Sequence, residues 1–209
     1  MWAFIVDVPR ESPRFRTIHA YFLLARHKYA YHIRMRKRNI PFALASNLFE
    51  IDAGFYRFHG VKVILLDLDN TLDPYTVAEP SEKTLGWKAK MTEAGYRLVI
   101  LSNNSGKRVQ HYAGLLGVEC RCFMRKPFSG PLKKFLKEEN LSPNEVMLVG
   151  DQIQTDVKAA NGAGVRCVLL DPIDPHEPPW TKFNRIFDKP KRRKIKERKL
   201  SPNWKETLS

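Results

Sequence analysis

The segment Val61–Thr71 has the sequence VKVILLDLDNT, in which an apolar run leads directly into two aspartates. The apolar half consists mainly of Val, Ile and Leu, which is typical of a short strand buried on both faces. Asp67 and Asp69 stand at positions i and i+2, so an extended backbone would direct both carboxylates to the same side. Like charges this close need a cation or a shared proton. The segment therefore predicts a buried strand that ends at a functional acidic pair.

Phosphoryl transfer gives such an acidic pair a chemical role. One carboxylate can attack phosphorus to form an aspartyl-phosphate, while the other protonates the leaving oxygen and then activates a water molecule. The alternative is structural, because an aspartate at a strand end can also form a turn with its own backbone. The residues further along the chain favour the chemical interpretation.

Apolar runs and amphipathic stretches alternate along the chain after this segment. The predicted strands are Val61–Leu66, Arg97–Leu101, Arg121–Met124, Glu145–Val149 and Val165–Leu170. The predicted helices are Ser81–Ala94, Lys107–Leu116, Pro131–Glu139 and Ile153–Asn161. Strands interleaved with helices predict an α/β fold with a doubly wound, Rossmann-like parallel sheet of about five strands.

Polar side chains follow the second and third predicted strands, and ligands bind outside the carboxyl ends of the strands in open parallel sheets. Ser102 and Asn103 open a helix, where a hydroxyl beside backbone N–H groups can bind a phosphate oxygen. The same residue types are also ordinary helix caps. Lys126 precedes Pro127, which restricts Lys126 to an extended conformation. A cation fixed there would suit the oxygens of a transferring phosphoryl group, although a Lys-Pro pair is also common in solvated loops.

The fourth predicted strand ends at Gly150-Asp151. Carboxylates from two strand ends, together with substrate oxygens and water, predict a Mg²⁺ site. Asp156 lies one turn into the next helix, where it could hold a metal-bound water or Lys126. The alternative for Asp156 is an acid that complements the helix dipole.

The motifs DLDNT, LSNN, RKP and GDQIQTD resemble those of the haloacid-dehalogenase-like (HAD) phosphatases. Their spacing is similar to that of the small YqeG-type group, which is related to phosphatidylglycerophosphate phosphatases of bacteria and mitochondria. The resemblance covers Pro41–Asp188. It implies a capless HAD fold and a magnesium-dependent phosphomonoesterase that works through an aspartyl-phosphate.

The resemblance also implies a role for each motif residue. Asp67 would be the nucleophile and a metal ligand, Asp69 the acid/base, and Asp151 a further metal ligand. Asp69 would also offer its backbone carbonyl to the metal. The residues expected around the phosphoryl group are Thr71, Ser102, Asn103 and the catalytic Lys126. Asp156 would lie just outside the metal ligands, and Asp73 is a third acid that departs from the group's pattern.

The net charge of +14 is concentrated at the two ends of the chain. Residues 1–40 carry nine Lys and Arg against two Asp and Glu. Residues 181–209 carry eleven against three, whereas residues 41–180 carry sixteen against seventeen. Basic ends favour anionic partners such as phospholipid or nucleic acid.

Three regions are expected from this pattern. Residues 1–58 would form an N-terminal extension with a basic, aromatic helix at Phe15–Met35, residues 59–188 the HAD-like domain, and residues 189–209 a basic tail. The odd number of cysteines, without framework spacing, predicts reduced thiols. We expect a cytoplasmic protein with peripheral contact to the inner face of the membrane.

Only nine residues separate Thr71 from Ser81, which leaves no room for a lid domain. An open site must take its selectivity from surfaces beyond the phosphate, which favours a large or membrane-held substrate. The leading hypothesis is a lipid phosphomonoester such as phosphatidylglycerophosphate. The alternatives are the same chemistry on a nucleic-acid end or a protein phosphate, and a non-catalytic anion-binding module.

Overall fold

A computed structural model describes residues 40–104, 106–174 and 179–208, so the predicted helix Phe15–Met35 lies outside the described residues. The strands are β1 (Ala43–Ala45), β2 (Val63–Leu66), β3 (Arg97–Leu101), β4 (Glu119–Arg121), β5 (Val146–Gly150) and β6 (Arg166–Leu170). They form one sheet in the order β1-β6-β5-β2-β3-β4, and every pair is parallel. The predicted α/β fold with a parallel sheet is confirmed, with six strands in place of about five.

Helices cover both faces of the sheet. They are α1 (Ala53–Phe58), α2 (Glu82–Glu93), α3 (Gly106–Leu116), α4 (Gly130–Glu138), α5 (Lys158–Ala163) and α6 (Pro179–Glu197). A π-helical turn, Ile153–Val157, precedes α5, and short 3₁₀ turns lie at Leu48–Glu50, Pro143–Glu145 and Trp204–Leu208. No helix among the described residues combines the length and the apolar character that crossing a bilayer requires.

Alternation along β2 divides the core into two layers. Ile64 and Leu66 pack in one apolar cluster, which includes residues of α1, α2 and α3. Val63 and Leu65 pack in the other cluster, which includes residues of α4, α5 and α6. All four side chains are buried, and burying an aliphatic side chain contributes about 1.5–3 kcal/mol. The central strand is therefore rigidly held, and so is the chain that leaves its carboxyl end.

The structure extends the sheet domain beyond the predicted 59–188 at both ends. Ala43–Ala45 forms β1, which pairs with β6, in a stretch where no strand was predicted. Helix α6 runs through the predicted tail to Glu197. Ile195 and Trp204 are buried. Ile195 and Trp204 are nine positions apart and lie among charged residues. The local sequence pattern therefore does not show that they pack on the domain.

The predicted third strand is displaced. It was expected at Arg121–Met124, and β4 instead ends at Arg121. Phe123 and Arg125 adopt positive φ angles of 54° and 49°, which an extended strand cannot accommodate. The chain after β4 therefore turns across the end of the sheet and carries Lys126 with it.

Candidate active site

Three buried carboxylates meet at the carboxyl edge of the sheet. Asp67, Asp151 and Asp156 each offer an oxygen, and these oxygens lie within 4.8 Å of one another. Asp67 follows β2 and Asp151 follows β5, and these two strands are paired in the sheet. Asp156 lies in the π-helical turn after β5. Strand pairing thus brings together two of the predicted site residues, and the turn adds a third.

The turn after β5 depends on a glycine at the end of that strand. A Cβ atom added to Gly150 would lie 2.5 Å from the Asp156 Cγ, which is closer than real contacts allow. Asp156 can therefore fold back against the strand only because residue 150 has no side chain. The Asp156 Oδ2 also accepts a hydrogen bond of 3.1 Å from the Gln152 N–H.

Lys126 crosses the acidic cluster and links its members. Its buried ammonium donates to the Asp67 Oδ1 at 2.5 Å and to the Asp156 Oδ1 at 2.7 Å. A third bond of 2.9 Å goes to the backbone carbonyl of Leu101 at the end of β3. Burial opposes the charged form, but attraction from Asp156 and Asp67 raises the pKa of Lys126 above its usual value. The cation therefore remains charged beside the two carboxylates.

Two carboxyl groups of the cluster have raised pKa values. Burial raises the pKa of Asp67 well above its usual range, and the charge of Lys126 offsets only part of that effect. Burial also raises the pKa of Asp151 to about 7, although Arg185 acts in the opposite direction. Further positive charge at the cluster would favour the ionised forms of both groups.

The loop that carries Lys126 is fixed by Asn103. The Asn103 side chain donates to the Lys126 carbonyl at 2.8 Å and accepts from the Lys126 N–H at 2.7 Å. Asn103 was predicted to bind phosphate. The structure shows its amide oxygen and one of its two side-chain N–H groups bonded to the Lys126 backbone, so a phosphate contact from this residue would use its other side-chain N–H or its backbone N–H.

Two hydroxyl groups at this edge are available to an incoming anion. The Thr71 Oγ1 is buried and has no hydrogen-bond partner among the described residues. The Ser102 Oγ is also buried and accepts a bond of 3.1 Å from the Asn104 N–H, so its own proton can be donated. Both groups suit the oxygens of a phosphoryl group.

Asp69 has partners outside the acidic cluster. Its carboxylate accepts 2.6 Å and 2.7 Å hydrogen bonds from Arg108 and from the Asn104 side chain. No role was predicted for Arg108 from the sequence. A signal was present, because Arg108 lies in the first turn of α3, where a cation is unfavourable with the helix dipole. Arg108 also donates to the carbonyls of Tyr75 and Val77.

Asp73, the acid that departs from the group's pattern, has structural partners. Its Oδ2 accepts hydrogen bonds from the Tyr112 hydroxyl and from the Ser81 N–H, the latter at 3.1 Å. Burial and the contact with Asp73 raise the pKa of Tyr112, so the hydroxyl stays protonated and donates. The carboxylate of Asp73 thus helps to fix the start of α2, and it is not one of the three that cluster.

Helix α6 reaches Asp151 from the far end of the chain. Arg185 forms an ion pair with the Asp151 carboxylate and donates to its backbone carbonyl at 2.9 Å, and Arg192 donates to the same carbonyl. Asp188 is fully buried and accepts from the backbone N–H groups of Ile153 and Gln154. None of these three residues was predicted from the sequence to belong to the site. Their spacing of three and four residues places them on one helix face.

The cluster offers ligands for a hard cation. The Asp151 Oδ1 is buried without a hydrogen-bond partner among the described residues, although an unpaired buried carboxylate oxygen is costly. Both oxygens of Asp156 are bonded, to Lys126 and to the Gln152 N–H. The donor set is all oxygen, which suits Mg²⁺ and related ions. Asp67 and Asp151 therefore fit a divalent metal, and Asp156 fits a supporting position.

Comparison with protein families gives a match to the HAD-hydrolase-like family over residues 123–171. These residues include Lys126, Asp151 and Asp156. Among curated proteins, the chain is 28% identical over 155 residues to the "Probable phosphatase YqeG" of Bacillus subtilis strain 168. That alignment covers 74% of this chain and 90% of the relative.

Solved structures with similarity to this chain include two octulosonate 8-phosphate phosphatases. The 3-deoxy-D-manno-octulosonate 8-phosphate phosphatase of Moraxella catarrhalis, in complex with magnesium ion, phosphate ion and KDO, is 21% identical with a TM-score of 0.44. The alignment covers 58% of this chain and 75% of that chain. The cobalt-bound deoxy-D-mannose-octulosonate 8-phosphate phosphatase YrbI of Haemophilus influenzae is 14% identical with a TM-score of 0.44, over 61% of this chain and 77% of that chain.

Proposed function

We propose that this chain, which matches the HAD-hydrolase-like family over residues 123–171 and is similar to YqeG, hydrolyses a phosphate monoester through an aspartyl-phosphate on Asp67. One observation carries the proposal. Lys126 is buried and bonded to both Asp67 and Asp156, in a cluster where Asp151 keeps an unpartnered oxygen. A buried acidic cluster with a fixed cation and an open ligand position is costly to fold and suits a site that binds metal and phosphate.

The first half-reaction transfers the phosphoryl group to the protein. The Asp67 carboxylate attacks phosphorus, and the bond between phosphorus and the leaving oxygen breaks. Asp69 gives its proton to that oxygen. Arg108 and Asn104 hold the Asp69 carboxylate at a fixed position, so the proton is delivered from one direction.

The second half-reaction releases inorganic phosphate. Asp69 takes a proton from a water molecule, the water oxygen attacks phosphorus, and the bond to the Asp67 oxygen breaks. Lys126, Thr71 and Ser102 stabilise the phosphoryl oxygens in both steps. Asn103 supports them by holding the Lys126 backbone.

We assign the metal as Mg²⁺. Asp67, Asp151 and the backbone carbonyl of Asp69 would hold it, with Asp156 behind them. When bound there, such an ion would supply positive charge that favours the ionised form of Asp67 and stabilises charge on the phosphoryl oxygens. The raised pKa values of Asp67 and Asp151 are consistent with a site that needs this additional charge.

The substrate we propose is a lipid phosphate, with phosphatidylglycerophosphate as the leading candidate. The link between β2 and α2, residues 67–81, contains no helix or strand beyond a single bridge between Asp69 and Asp73 in the described structure. A site without a lid can accept a headgroup that stays anchored in a bilayer. The basic composition of the chain favours an anionic surface around that headgroup.

Phosphate release with a panel of substrates tests this function. The panel contains phosphatidylglycerophosphate, a phosphorylated oligonucleotide, a phosphopeptide and a small aryl phosphate, each with and without Mg²⁺. Asp67→Asn keeps the shape of the side chain and removes the nucleophile, so we expect its activity to fall at least about 10³-fold on every substrate.

Exposed Asp171 at the same edge provides the control, and Asp171→Asn should retain activity within about twofold. Appreciable turnover by Asp67→Asn would contradict the covalent mechanism. Preference for the oligonucleotide or the phosphopeptide over the lipid would replace the lipid assignment and leave the chemistry intact.

A further inference from the structure

Two large aromatic side chains stand exposed beside the catalytic lysine. Phe123 and Phe128 are 63% and 71% exposed, and both belong to the loop that carries Lys126. Lys126 itself is buried, and its backbone is held by Asn103. The loop is therefore held by polar contacts. Most of the surface of its two phenylalanine side chains faces solvent and is not buried in the core.

Helix α6 presents an apolar residue on the other side of the site. Asp188 and Ile195, seven residues apart, are buried and define the face of α6 that packs on the domain. Ile186 is 65% exposed, and its position on the helix is about 160° away from Asp188. Its immediate neighbour Arg185 is paired with Asp151, so Ile186 is carried by the turn of α6 that reaches the acidic cluster.

Ile173 lies near α6 at the same edge of the sheet. It is 40% exposed and follows the carboxyl end of β6 by three residues. Asp171, two residues earlier, accepts from Arg192 of α6 at 3.2 Å. We call Phe123, Phe128, Ile173 and Ile186 the rim patch.

The rim patch lies along the carboxyl edge of the sheet, with the phenylalanines after β4 and the isoleucines after β6, on either side of β2 in the strand order. Lys126 reaches Asp67 and Asp156 from one side, and Arg185 reaches Asp151 from the other. The three carboxylates lie within 4.8 Å of one another, so the aromatic pair and the isoleucine pair flank the same cluster. Exposed apolar side chains gathered around a functional opening mark an interaction surface.

Positive charge accompanies these apolar side chains. Between Arg185 and Lys199 the chain has nine Lys and Arg against two Asp and Glu. Exposed cations flank the apolar residues directly, including Arg125 in the aromatic loop and Lys189 on α6. A basic helix with apolar side chains on its solvent face is typical of proteins that lie in the interface of an anionic membrane.

We propose that the rim patch inserts into an anionic phospholipid bilayer, so that the site opens directly onto the headgroups. This inference rests on the proposed function, since it specifies how a lipid phosphate would reach Asp67. Two members of the patch are isoleucines, which gain free energy in acyl chains but cannot stack on nucleic-acid bases. The apolar residues therefore favour a bilayer over a nucleic acid of equal charge.

Binding of the full chain to vesicles tests the proposal without requiring turnover. The vesicles contain phosphatidylglycerol and phosphatidylcholine, and bound protein is measured by co-sedimentation at low and at high salt. The rim variant combines Phe128→Ser with Ile186→Ser. The matched control combines Phe58→Ser with Leu115→Ser, which are 56% and 48% exposed and lie at the opposite, amino edge of the sheet.

We expect the rim variant to bind at least about tenfold more weakly than the control, with the larger difference at high salt, where charge attraction is screened. Activity of both variants on a small aryl phosphate should stay within about twofold of the unaltered chain. Equal vesicle binding by the two variants would overturn the proposal. Self-association that only the rim variant loses, or oligonucleotide binding without vesicle binding, would also overturn it.

A second measurement keeps the rim patch apolar and detects its insertion by fluorescence. Two variants, Phe128→Trp and Phe58→Trp, place a tryptophan in the rim patch and at the opposite edge of the sheet. Brominated phospholipids should quench the tryptophan fluorescence of the Phe128→Trp variant more strongly. Equal quenching in the two variants would contradict insertion of the rim. Vesicle binding reports membrane docking, and the aryl phosphate assay reports phosphatase activity. The two measurements therefore distinguish failure of this proposal from failure of the proposed function.

Discussion

Lys126 determines the charge balance of the site at the scale of single residues. Its ammonium is bonded to Asp67 and Asp156, and all three groups are buried. Removing one member of such a network leaves uncompensated buried charge. The residue makes the acidic cluster tolerable in the folded chain, and in the proposed reaction it would also offer positive charge to a phosphoryl group.

Arg108 forms an ion pair with Asp69. The variant Arg108→Gln tests whether this ion pair positions the Asp69 carboxylate. Loss of the 2.6 Å ion pair should let the Asp69 carboxylate change position, so proton transfer to the leaving group would slow. We expect kcat to fall roughly 10- to 100-fold while KM changes by less than about threefold. Steady-state rates on an aryl phosphate measure both parameters.

The control for Arg108 is its neighbour Lys107, which is exposed on the same helix. Lys107→Gln removes one charge without touching Asp69 and should leave kcat within about twofold. Arg108→Lys keeps a cation near Asp69 and should give an intermediate rate. If Arg108→Gln matched Lys107→Gln, Arg108 would have no part in positioning the acid/base.

Helix α6 is the element that links the end of the chain to the site. Its Asp188 carboxylate accepts two backbone N–H groups from the turn that also contains Asp156. The orientation of that turn, and thus of Asp156 and Lys126, depends in part on a residue that is far away in sequence. A segment that the composition presents as a basic tail is therefore a structural support of the acidic cluster.

Asp188→Asn tests this support at the scale of the element. An amide has one oxygen acceptor, so one of the two N–H groups would lose its partner in a buried position. We expect the free energy of unfolding to fall by about 2 kcal/mol, which lowers Tm by roughly 4–8 °C for a domain of this size. Glu197→Gln, at an exposed position of the same helix, should change Tm by less than about 2 °C. Equal Tm values for the two variants would mean that α6 does not support the turn.

At the scale of the whole molecule, metal binding should stabilise the fold. A ligand that binds only the folded chain at 100 times its Kd adds about 2.7 kcal/mol to the free energy of unfolding. Addition of Mg²⁺ should therefore raise Tm by roughly 5–10 °C, and a chelator should reverse the increase. Thermal melts monitored by circular dichroism give this result without an activity assay.

Asp151→Asn should remove most of the Mg²⁺-dependent increase in Tm, because it takes away one charged ligand of the proposed site. Asp171→Asn serves as the matched control, since Asp171 lies at the same edge but pairs with Arg192 and Lys196. It should retain the full increase. A Tm that does not respond to Mg²⁺ in the unaltered chain would contradict the metal assignment.

The sequence alone determined the parallel sheet, apart from β1 and the exact bounds of β4, and the positions of the motif residues at its strand ends. Buried strands show as short runs of Val, Ile and Leu, and in a parallel sheet every strand ends at the same edge. Asp67, Ser102 and Asp151 were therefore predictable as neighbours, because each immediately follows such a run. Lys126 was predictable from its motif, although β4 overlaps its predicted range only at Arg121.

Only the tertiary structure decided which side chains complete the site and what borders it. Arg108 meets Asp69 across 39 positions of sequence, and Arg185 meets Asp151 across 34. A basic residue in a helix has the same local pattern whether it faces solvent or a buried carboxylate, so such a pairing cannot be read from its neighbours. The same holds for β1 and Trp204, whose burial depends on surfaces that exist only once the sheet has formed. Local periodicity therefore fixes the strands, whereas contacts between distant segments fix the electrostatics around Asp67.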